Sequence, residues 1–256
     1  MTATTSDSIV TKRNFVVAID GPAGTGKSSA TKMISDALGF VHVDTGALYR
    51  AIALVCLEKG IIGGEQTELD DSAAAAVTGV AQSAKLEFQR SPKLKPANRI
   101  LVNGQDVTAR IRTPEVSMGA SLVSGVPGVR NALVDLQRRL GSSGQAVLEG
   151  RDIGTVIFPD ADVKFFLTAS LEARADRRLA ELMASGGVAP SYDELKEQIA
   201  KRDHADSTRK QAPLKKADEA IQFDTTHMTL NEVVQLMVSI IRALLRITEK
   251  YTGTGN

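Results

Sequence analysis

The 256-residue chain has little sulfur and few histidines: it holds one cysteine, three histidines and no tryptophan. A single cysteine, Cys56, excludes an intramolecular disulfide and fits a reducing compartment. Because Cys56 lies in the apolar stretch AIALVC, we expect a buried, small hydrophobic side chain and not a nucleophile. One cysteine and three scattered histidines also argue against a zinc site.

Long apolar runs and excess charge are absent as well. No apolar stretch approaches the roughly 18 residues of a membrane span, and the first residues lack the apolar segment of a secretory signal. We therefore expect a cytoplasmic protein in which residues 1–14 form a disordered leader. The formal net charge of +1 is too balanced for a surface that binds nucleic acid or docks on a membrane. Any basic site must be local.

Apolar strand segments alternate with helical segments along most of the chain, as at 15–20 followed by 26–38. This alternation predicts an α/β fold with a parallel sheet covered by helices on both faces. Near the end of the chain, Thr229 and Glu232 stand three residues apart at the start of an amphipathic segment. That spacing predicts a capping box and a C-terminal helix.

Two segments interrupt the alternation. Residues 63–128 hold an alanine-rich helix and then short alternating runs around Asn103-Gly104, a pair typical of a hairpin turn. We predict a small inserted subdomain with antiparallel strands there. The second segment, 172–216, is rich in arginine and lysine, and it reads either as a mobile helical segment or as a solvated charged face.

A phosphate-binding loop stands directly after the first apolar strand. The stretch GPAGTGKS fits the pattern G-x-x-x-x-G-K-[ST] between a strand and a helix. Glycines allow the backbone N–H groups to point at phosphate oxygens, and the following helix adds its positive end. Lys27 can reach the β and γ phosphates and Ser28 can bind Mg²⁺. The predicted nucleoside triphosphate site comprises Gly21, Pro22, Ala23, Gly24, Thr25, Gly26, Lys27, Ser28 and Ser29.

Candidate acceptor residues follow two later strands. Thr45, Tyr49 and Arg50 begin the helix after the second strand, where helix capping explains them as well as ligand binding does. Arg151 and Asp152 follow another apolar strand, at the edge where open α/β sheets bind ligands, although a simple ion pair in a turn is the alternative.

A further group of charged residues lies in the segment KRDHADSTR. Arg202, Asp206 and Arg209 are spaced i, i+4 and i+7, which predicts one helical face. The group could be a solvated ladder of ion pairs, or a clamp in which the guanidinium groups hold phosphate and the carboxylate holds a ribose.

Five segments together resemble the bacterial cytidylate kinases, which are P-loop nucleoside monophosphate kinases. They are IDGPAGTGKSS, DTGALYR, IRTPEVSMGAS, EGRDIGTVIFPDADVKFFLTAS and KRDHADSTRKQAPL, in the family's order from about Val16 to the C-terminal helix. The resemblance implies one kinase domain over 15–250, with a nucleoside-monophosphate-binding insert at 63–128 and a helical lid at 172–210. It further implies phosphorylation of CMP and dCMP by ATP with Mg²⁺, and we expect a monomer.

The resemblance also implies roles for individual residues. The groups matching the family's acceptor-phosphate ligands are Thr45, Arg50, Arg151 and Arg209. Cytosine would be read by Ser121, Arg130 and Asp152 with Tyr49 packing nearby, and the ribose would be held by Arg202 and Asp206. Glu149 stands where the family often has aspartate, with a role near the metal. The implied catalytic residues are Lys27, Arg151, Arg209, Arg177 and Arg178, although a solvated helix face is an equal explanation for the last two.

Other functions stay open at this point. Another small-molecule kinase, acting on UMP, AMP or a sugar acid, is the nearest alternative, and a nucleotide-operated switch or assembly ATPase is a different class. A GTPase switch would need an Asn-Lys-x-Asp guanine-binding motif, which the sequence lacks. In a monophosphate kinase the acceptor oxygen is already anionic near neutral pH, so no general base is required.

Overall fold

The computed structural model describes residues 14–63, 66, 68–90, 98–184 and 190–252, so the predicted leader lies, apart from Asn14, outside the described residues. The strands are β1 (Val16–Asp20), β2 (Val41–Asp44), β3 (Leu86–Arg90), β4 (Asn98–Val102), β5 (Gln105–Asp106), β6 (Ala146–Gly150), β7 (Val163–Thr168) and β8 (Ile221–Asp224). The helices are α1 (Lys27–Leu38), α2 (Thr45–Glu58), α3 (Asp71–Ser83), α4 (Pro114–Ser124), α5 (Pro127–Gly141), α6 (Leu171–Ala184), α7 (Tyr192–Thr208) and α8 (Leu230–Thr252), with short 3₁₀ and π turns at Arg110–Arg112 and Ile153–Ile157.

The main sheet is parallel, as predicted, and its strand order is β2-β6-β1-β7-β8. All of β1 is buried, because its alternate residues enter two cores. Val17 and Ile19 pack with α1 and α8 on one face, whereas Val16 and Ala18 pack with β2 and β6 on the other. The predicted capping box at the start of α8 is confirmed, since Thr229 and Glu232 exchange side-chain and backbone hydrogen bonds.

A second, antiparallel sheet has the order β3-β4-β5. Its hairpin turn is confirmed at Asn103 and Gly104, whose φ angles of 51° and 83° are the left-handed values that a type I′ turn requires. Helices α2 to α5 bury a separate core beside this sheet. Cys56 lies fully buried in that core, and burial raises the pKa of its thiol to about 11, which agrees with a packing role. The boundaries of the insert and the lid stay predictions.

The strand order brings the predicted site segments to one edge of the main sheet. In register, Asp20 lies opposite Gly150 and Asp44 lies opposite Glu149. The phosphate loop after β1, the start of α2 after β2 and Arg151-Asp152 after β6 therefore leave three adjacent strands at their carboxyl ends, where open α/β sheets bind ligands. None of the helices in the described ranges is both long and apolar enough to cross a membrane.

Candidate active site

The phosphate loop depends on glycine for its path. Gly21 has φ +146°, and a Cβ atom there would lie 2.1 Å from the carbonyl oxygen of Leu167. Gly24 has φ +78°, and its Cβ would lie 3.0 Å from the Cβ of Arg174. Side chains at these positions would push the loop off the sheet and off α6, so the predicted glycine spacing matches the close packing beneath the loop.

Lys27 lies beneath the same loop as the first residue of α1. Its side chain is buried, and Nζ donates to the carbonyl oxygen of Pro22 at 2.5 Å and to the Thr25 hydroxyl at 3.3 Å. Burial, and then the nearby Arg151, lower the pKa of Lys27 well below its ordinary value. An anion in the loop would favour the charged ammonium. Ser28 and Ser29 are exposed in the first turn of α1.

The Ser28 hydroxyl donates to Glu149 Oε2 at 2.5 Å. The other oxygen of this buried side chain, Oε1, lies 3.0 Å from Nε2 of His42. A hydroxyl and a carboxylate are the hard oxygen ligands that Mg²⁺ prefers, and Mg²⁺ at phosphate sites takes only one or two protein ligands. The residues present therefore fit a Mg²⁺ ion that arrives with the nucleotide.

At the start of α2, the structure shows helix capping, and ligand binding by Thr45, Tyr49 and Arg50 stays a prediction. Asp44 caps the helix by accepting from Ala47 N at 3.0 Å, and it also accepts from Arg50 Nη2 at 2.6 Å. Burial raises the pKa of Asp44, but Arg50 and Arg112 outweigh it and hold that pKa below its ordinary value. The buried Thr45 hydroxyl donates to the Glu149 carbonyl oxygen at 2.7 Å, which leaves its oxygen free to accept and places it beside β6.

Asp152 lies in a buried ion-pair cluster directly after β6. It pairs with Nη2 of Arg130, and Arg209 Nη2 lies 3.7 Å from its other oxygen. The Arg130 guanidinium also stands 5.6 Å from the ring centre of Tyr49. Ser124 joins the two arginines, because its carbonyl oxygen accepts from Arg130 at 3.3 Å and its hydroxyl from Arg209 at 3.3 Å. Ser121, one turn earlier in α4, is half-buried.

A second buried carboxylate, Asp206, accepts from Arg151 Nε at 2.9 Å and lies 3.9 Å from Arg209 Nη1. Burial raises the pKa of Asp206, but Arg151 and Arg202 lower it below its ordinary value. Burial and then Arg151 lower the pKa of Arg202 to about 10. The structure thus brings the two predicted groups, Arg151-Asp152 and the segment 202–209, into one cluster.

The predicted helical face is confirmed up to the helix end, because Arg209 is the C-cap of α7 and its N–H still donates to the carbonyl oxygen of Ala205 at 3.2 Å. Helix α7 ends at Thr208, and Arg209 has φ −58° and ψ 140°. Arg209 turns back because its Nε donates to the carbonyl oxygen of Ala212 at 2.7 Å, and Ala212 adopts a left-handed φ of 49°. A non-glycine residue in that conformation carries strain, of a kind that is concentrated at functional sites.

Three arginines around the cluster keep hydrogen-bond donors to spare. Within the described part of the chain, buried nitrogens of Arg50 (Nε), Arg202 (Nε) and Arg209 (Nη2) have no hydrogen-bond partner. Nearly all buried polar atoms in proteins are paired. Free donors from α2 and from the C-terminal end of α7 are therefore suited to accepting an anion such as phosphate.

Comparison with known proteins agrees with this geometry. The family model described as cytidylate kinase matches residues 17–243. This chain belongs to the cytidylate kinase family. A cytidylate kinase from Geobacter sulfurreducens is 44% identical, over 93% of this chain and 97% of that protein. A bifunctional pantoate ligase/cytidylate kinase from a Synechococcus strain is 47% identical, over 91% of this chain but 42% of its own length.

Solved structures add less. A gluconokinase from Sinorhizobium meliloti 1021 covers 95% of this chain and is itself covered over 99%, at 14% identity and a TM-score of 0.44, too low a score for any argument. The assignment to the cytidylate kinase family therefore depends on the family model and the sequence relatives. The five-stranded parallel sheet and the phosphate loop are consistent with it.

In this cytidylate kinase family member, helix α6 carries three arginines near the phosphate loop, and they differ in whether they contact it. Arg174, which the sequence analysis did not single out, is buried and donates to the carbonyl oxygen of Ala23 at 3.2 Å and to Asp203 at 2.5 Å. Arg177 donates to Thr225, whose hydroxyl lies 3.2 Å from the carbonyl oxygen of Thr25. Arg178 pairs with the exposed Glu181 at 3.1 Å. Closure of Arg177 and Arg178 over phosphates stays a prediction.

Sequence reasoning also missed Asp20, the last residue of β1. Its buried carboxyl accepts from the backbone N–H groups of Ile153 at 2.9 Å and Gly154 at 2.8 Å. The residue before the phosphate loop therefore holds the loop that carries Arg151 and Asp152. An acidic residue at the end of a fully apolar strand was the available signal. Burial raises the pKa of Asp20 from 3.8 to about 6.

Asp20→Asn should change how stability depends on pH. Between about pH 4 and pH 6 the folded protein keeps a proton on Asp20 that the unfolded chain has released. Stability from this group therefore falls as pH rises through that window, by at most about 3 kcal/mol. Asparagine cannot titrate. Over the same window, the unfolding free energy of the wild type should therefore fall toward that of the variant. Urea unfolding at pH steps from 4 to 7 measures this difference.

The exposed Asp36→Asn, on the outer face of α1, removes one charge elsewhere and serves as the control. Wild type and Asp36→Asn should give a nearly constant difference across the window. Parallel curves for wild type and Asp20→Asn would show that Asp20 does not carry the raised pKa.

Proposed function

We propose that this chain transfers the γ-phosphoryl group of ATP to CMP and dCMP, giving ADP with CDP and dCDP. The observation that carries the proposal is the pairing of β1 with β6 in parallel, with Asp20 opposite Gly150. It sets the phosphate loop beside Arg151 and Asp152, so that a donor and an acceptor bound at these loops would meet end to end. The named relatives support the identity of the acceptor.

On the donor side, the loop N–H groups and Lys27 bind the triphosphate, and Ser28 with Glu149 is the position for Mg²⁺. Ser28 and Glu149 would hold the ion, and the chemistry it would supply when bound is neutralisation of the charge on the phosphates. The Lys27 side chain is held by Pro22 and Thr25 before the nucleotide arrives, so little reorganisation accompanies the developing charge.

On the acceptor side, the phosphate of CMP is bound by the Thr45 hydroxyl and by the unpaired donors of Arg50 and Arg209, with Arg151 between this phosphate and Lys27. Asp152 accepts from the exocyclic amine of cytosine, with Arg130, Ser121 and Tyr49 around the base. Uracil presents a carbonyl oxygen at the same place, and that oxygen would face the carboxylate without a proton between them. This repulsion favours C over U. Arg202 and Asp206 bind the ribose.

The reaction is an in-line displacement. An oxygen of the CMP phosphate forms a bond to the γ phosphorus of ATP, and the bond from that phosphorus to the β–γ bridging oxygen breaks. The attacking oxygen is already anionic, so alignment and charge neutralisation by Lys27 and Arg151 supply the catalysis. Helices α6 and α7 act as a lid that excludes water, and Arg177 and Arg178 close with it. We propose that the protein is cytoplasmic, in keeping with its single, buried cysteine, and that it acts as a monomer.

An ADP-release assay with a panel of acceptors tests the function. With ATP and Mg²⁺, we expect rapid ADP release with CMP and dCMP, slower release with UMP and AMP, and slow release without an acceptor, because lid closure needs both nucleotides. Mass spectrometry should find CDP in the CMP reaction. Rapid acceptor-independent turnover, or equal rates with all four acceptors, would contradict the proposal and favour an ATPase or a different kinase.

A further inference from the structure

One histidine that the transfer reaction leaves without a role lies next to the phosphate loop. His42 and Glu149 are on adjacent strands of the main sheet, with His42 opposite Val147 and Asp44 opposite Glu149. Because side chains alternate along a strand, His42 and Glu149 emerge on the same face. Their side chains are 14% and 5% exposed, so water competes poorly for the bond between them.

The hydrogen bonds here form one chain with a single consistent direction. Ser28 donates its hydroxyl proton to Oε2 of Glu149, and Oε1 lies 3.0 Å from Nε2 of His42. Because an ionised carboxylate only accepts, we infer that the proton of this second bond is on Nε2. The imidazole then has an acceptor left at Nδ1, which lies 3.3 Å from Nδ2 of Asn98 in β4. The neutral tautomer with its proton on Nε2 satisfies every hydrogen bond in this series of side chains.

We propose that His42 is a positioning residue for phosphoryl transfer: it fixes the Glu149 carboxylate, and through it the Ser28 hydroxyl at the Mg²⁺ position, while Asn98 ties this arrangement to the small antiparallel sheet. The inference rests on the proposed function. It assigns His42 no contact with either nucleotide, only the orientation of a side chain that would face the metal.

Glu149 needs such a restraint because it has a competing partner. Its charge attracts that of Lys27, and it partly opposes the burial and the Arg151 charge that lower the pKa of that lysine. With Oε1 released from His42, the carboxylate can rotate toward the ammonium and withdraw from Ser28. Removing a group that orients a metal ligand typically lowers metal affinity or activity 10–100-fold. The His42 imidazole is such a group, because it orients Glu149.

Three substitutions separate positioning from packing. In His42→Gln the side-chain amide reaches the place of Nε2 and can still donate to Glu149. In His42→Asn the side-chain amide reaches only the place of Nδ1. In His42→Phe an apolar ring replaces the imidazole. We expect His42→Phe and His42→Asn to raise the Mg²⁺ concentration for half-maximal activity about tenfold or more. His42→Gln should stay within about threefold of wild type, and KM for CMP should change little in all three.

Calorimetry of ADP binding, with Mg²⁺ and with EDTA, gives a readout that does not depend on turnover. Wild type and His42→Gln should bind ADP more tightly with Mg²⁺ by similar factors, whereas His42→Asn should lose about tenfold of that advantage. The affinity for ADP in EDTA should stay unchanged. If His42→Phe does not fold, the Gln and Asn variants, both small polar side chains, decide the question alone.

The outcomes distinguish this inference from the proposed function. A wild-type protein that does not phosphorylate CMP refutes the function itself. A wild type that does so, with equal Mg²⁺ dependence and equal ADP binding in the Gln and Asn variants, refutes the role of His42 alone. Long-range ¹H–¹⁵N NMR of His42 should show the Nε2–H tautomer, and the opposite neutral tautomer would also overturn the proposal.

Discussion

Replacing Arg151 with alanine is expected to lower kcat by about 10³-fold or more with CMP, and by a similar factor with every other acceptor. Arg151 follows β6 directly beside the phosphate loop, and its charge lowers the pKa of Lys27. In the proposed reaction its guanidinium lies between two crowded anions and, together with Lys27, neutralises the charge on the transferring phosphoryl group. An arginine in that position is worth 10³–10⁵ in phosphoryl transfer. Steady-state ADP release with CMP and UMP measures the loss.

Two further proteins make the result specific. Arg110→Ala removes a guanidinium that pairs with Glu58 away from the sheet edge, and it should keep wild-type rates. Arg151→Lys keeps the charge without the planar fork and should recover part of the rate. A drop of less than tenfold in Arg151→Ala, with its bond to Asp206 lost, would mean that this arginine only supports the ion-pair cluster.

Asp152→Asn should lower the ratio of kcat/KM for CMP to that for UMP by about 100-fold. In the proposed complex the carboxylate accepts from the cytosine amine. The variant's amide can instead donate to the uracil carbonyl, so the change weakens the binding of CMP and removes the repulsion of UMP. Asparagine keeps the shape of the side chain beside Arg130 and Arg209. Initial rates over a concentration range of both acceptors give the ratio.

Stability must be checked in the same experiment, because Asp152→Asn would leave Arg130 buried without a full counter-charge and cost several kcal/mol. Melting temperatures show whether the variant is folded at the assay temperature. Asp160→Asn changes an exposed residue of the same loop and should keep both the melting temperature and the CMP/UMP ratio. An unchanged ratio in folded Asp152→Asn would remove this residue from base recognition.

Local chemistry explains which parts of the molecule could be predicted from the sequence. The phosphate loop, the hairpin turn at Asn103-Gly104 and the capping box at Thr229 each depend on residues within eight positions of one another. Their spacing therefore carries the information, and the structure confirms the turn and the cap. The parallel sheet could also be predicted, because alternation of apolar strands and helices has few other solutions.

Contacts that cross the sheet could not be predicted in the same way. Asp20 bonds to backbone groups 133 and 134 positions away, and His42 meets Glu149 over 107 positions. Both contacts depend on which strands are neighbours, and strand order is not written in any one segment. Arg209 combines both cases. Its spacing predicted the shared helical face, whereas its bond to Ser124, 85 positions away, could not be read from that spacing.

The central claim is that one cleft holds a triphosphate and a pyrimidine nucleotide with their phosphates together. A dinucleoside polyphosphate that joins adenosine to cytidine tests it most directly, with affinity measured by calorimetry. A ligand that spans both sites should bind at least about 100-fold more tightly than ADP or CMP alone. Lys27→Ala and Arg151→Ala should each weaken that binding. Affinity equal to that of ADP alone, and unchanged in Arg151→Ala, would contradict the account.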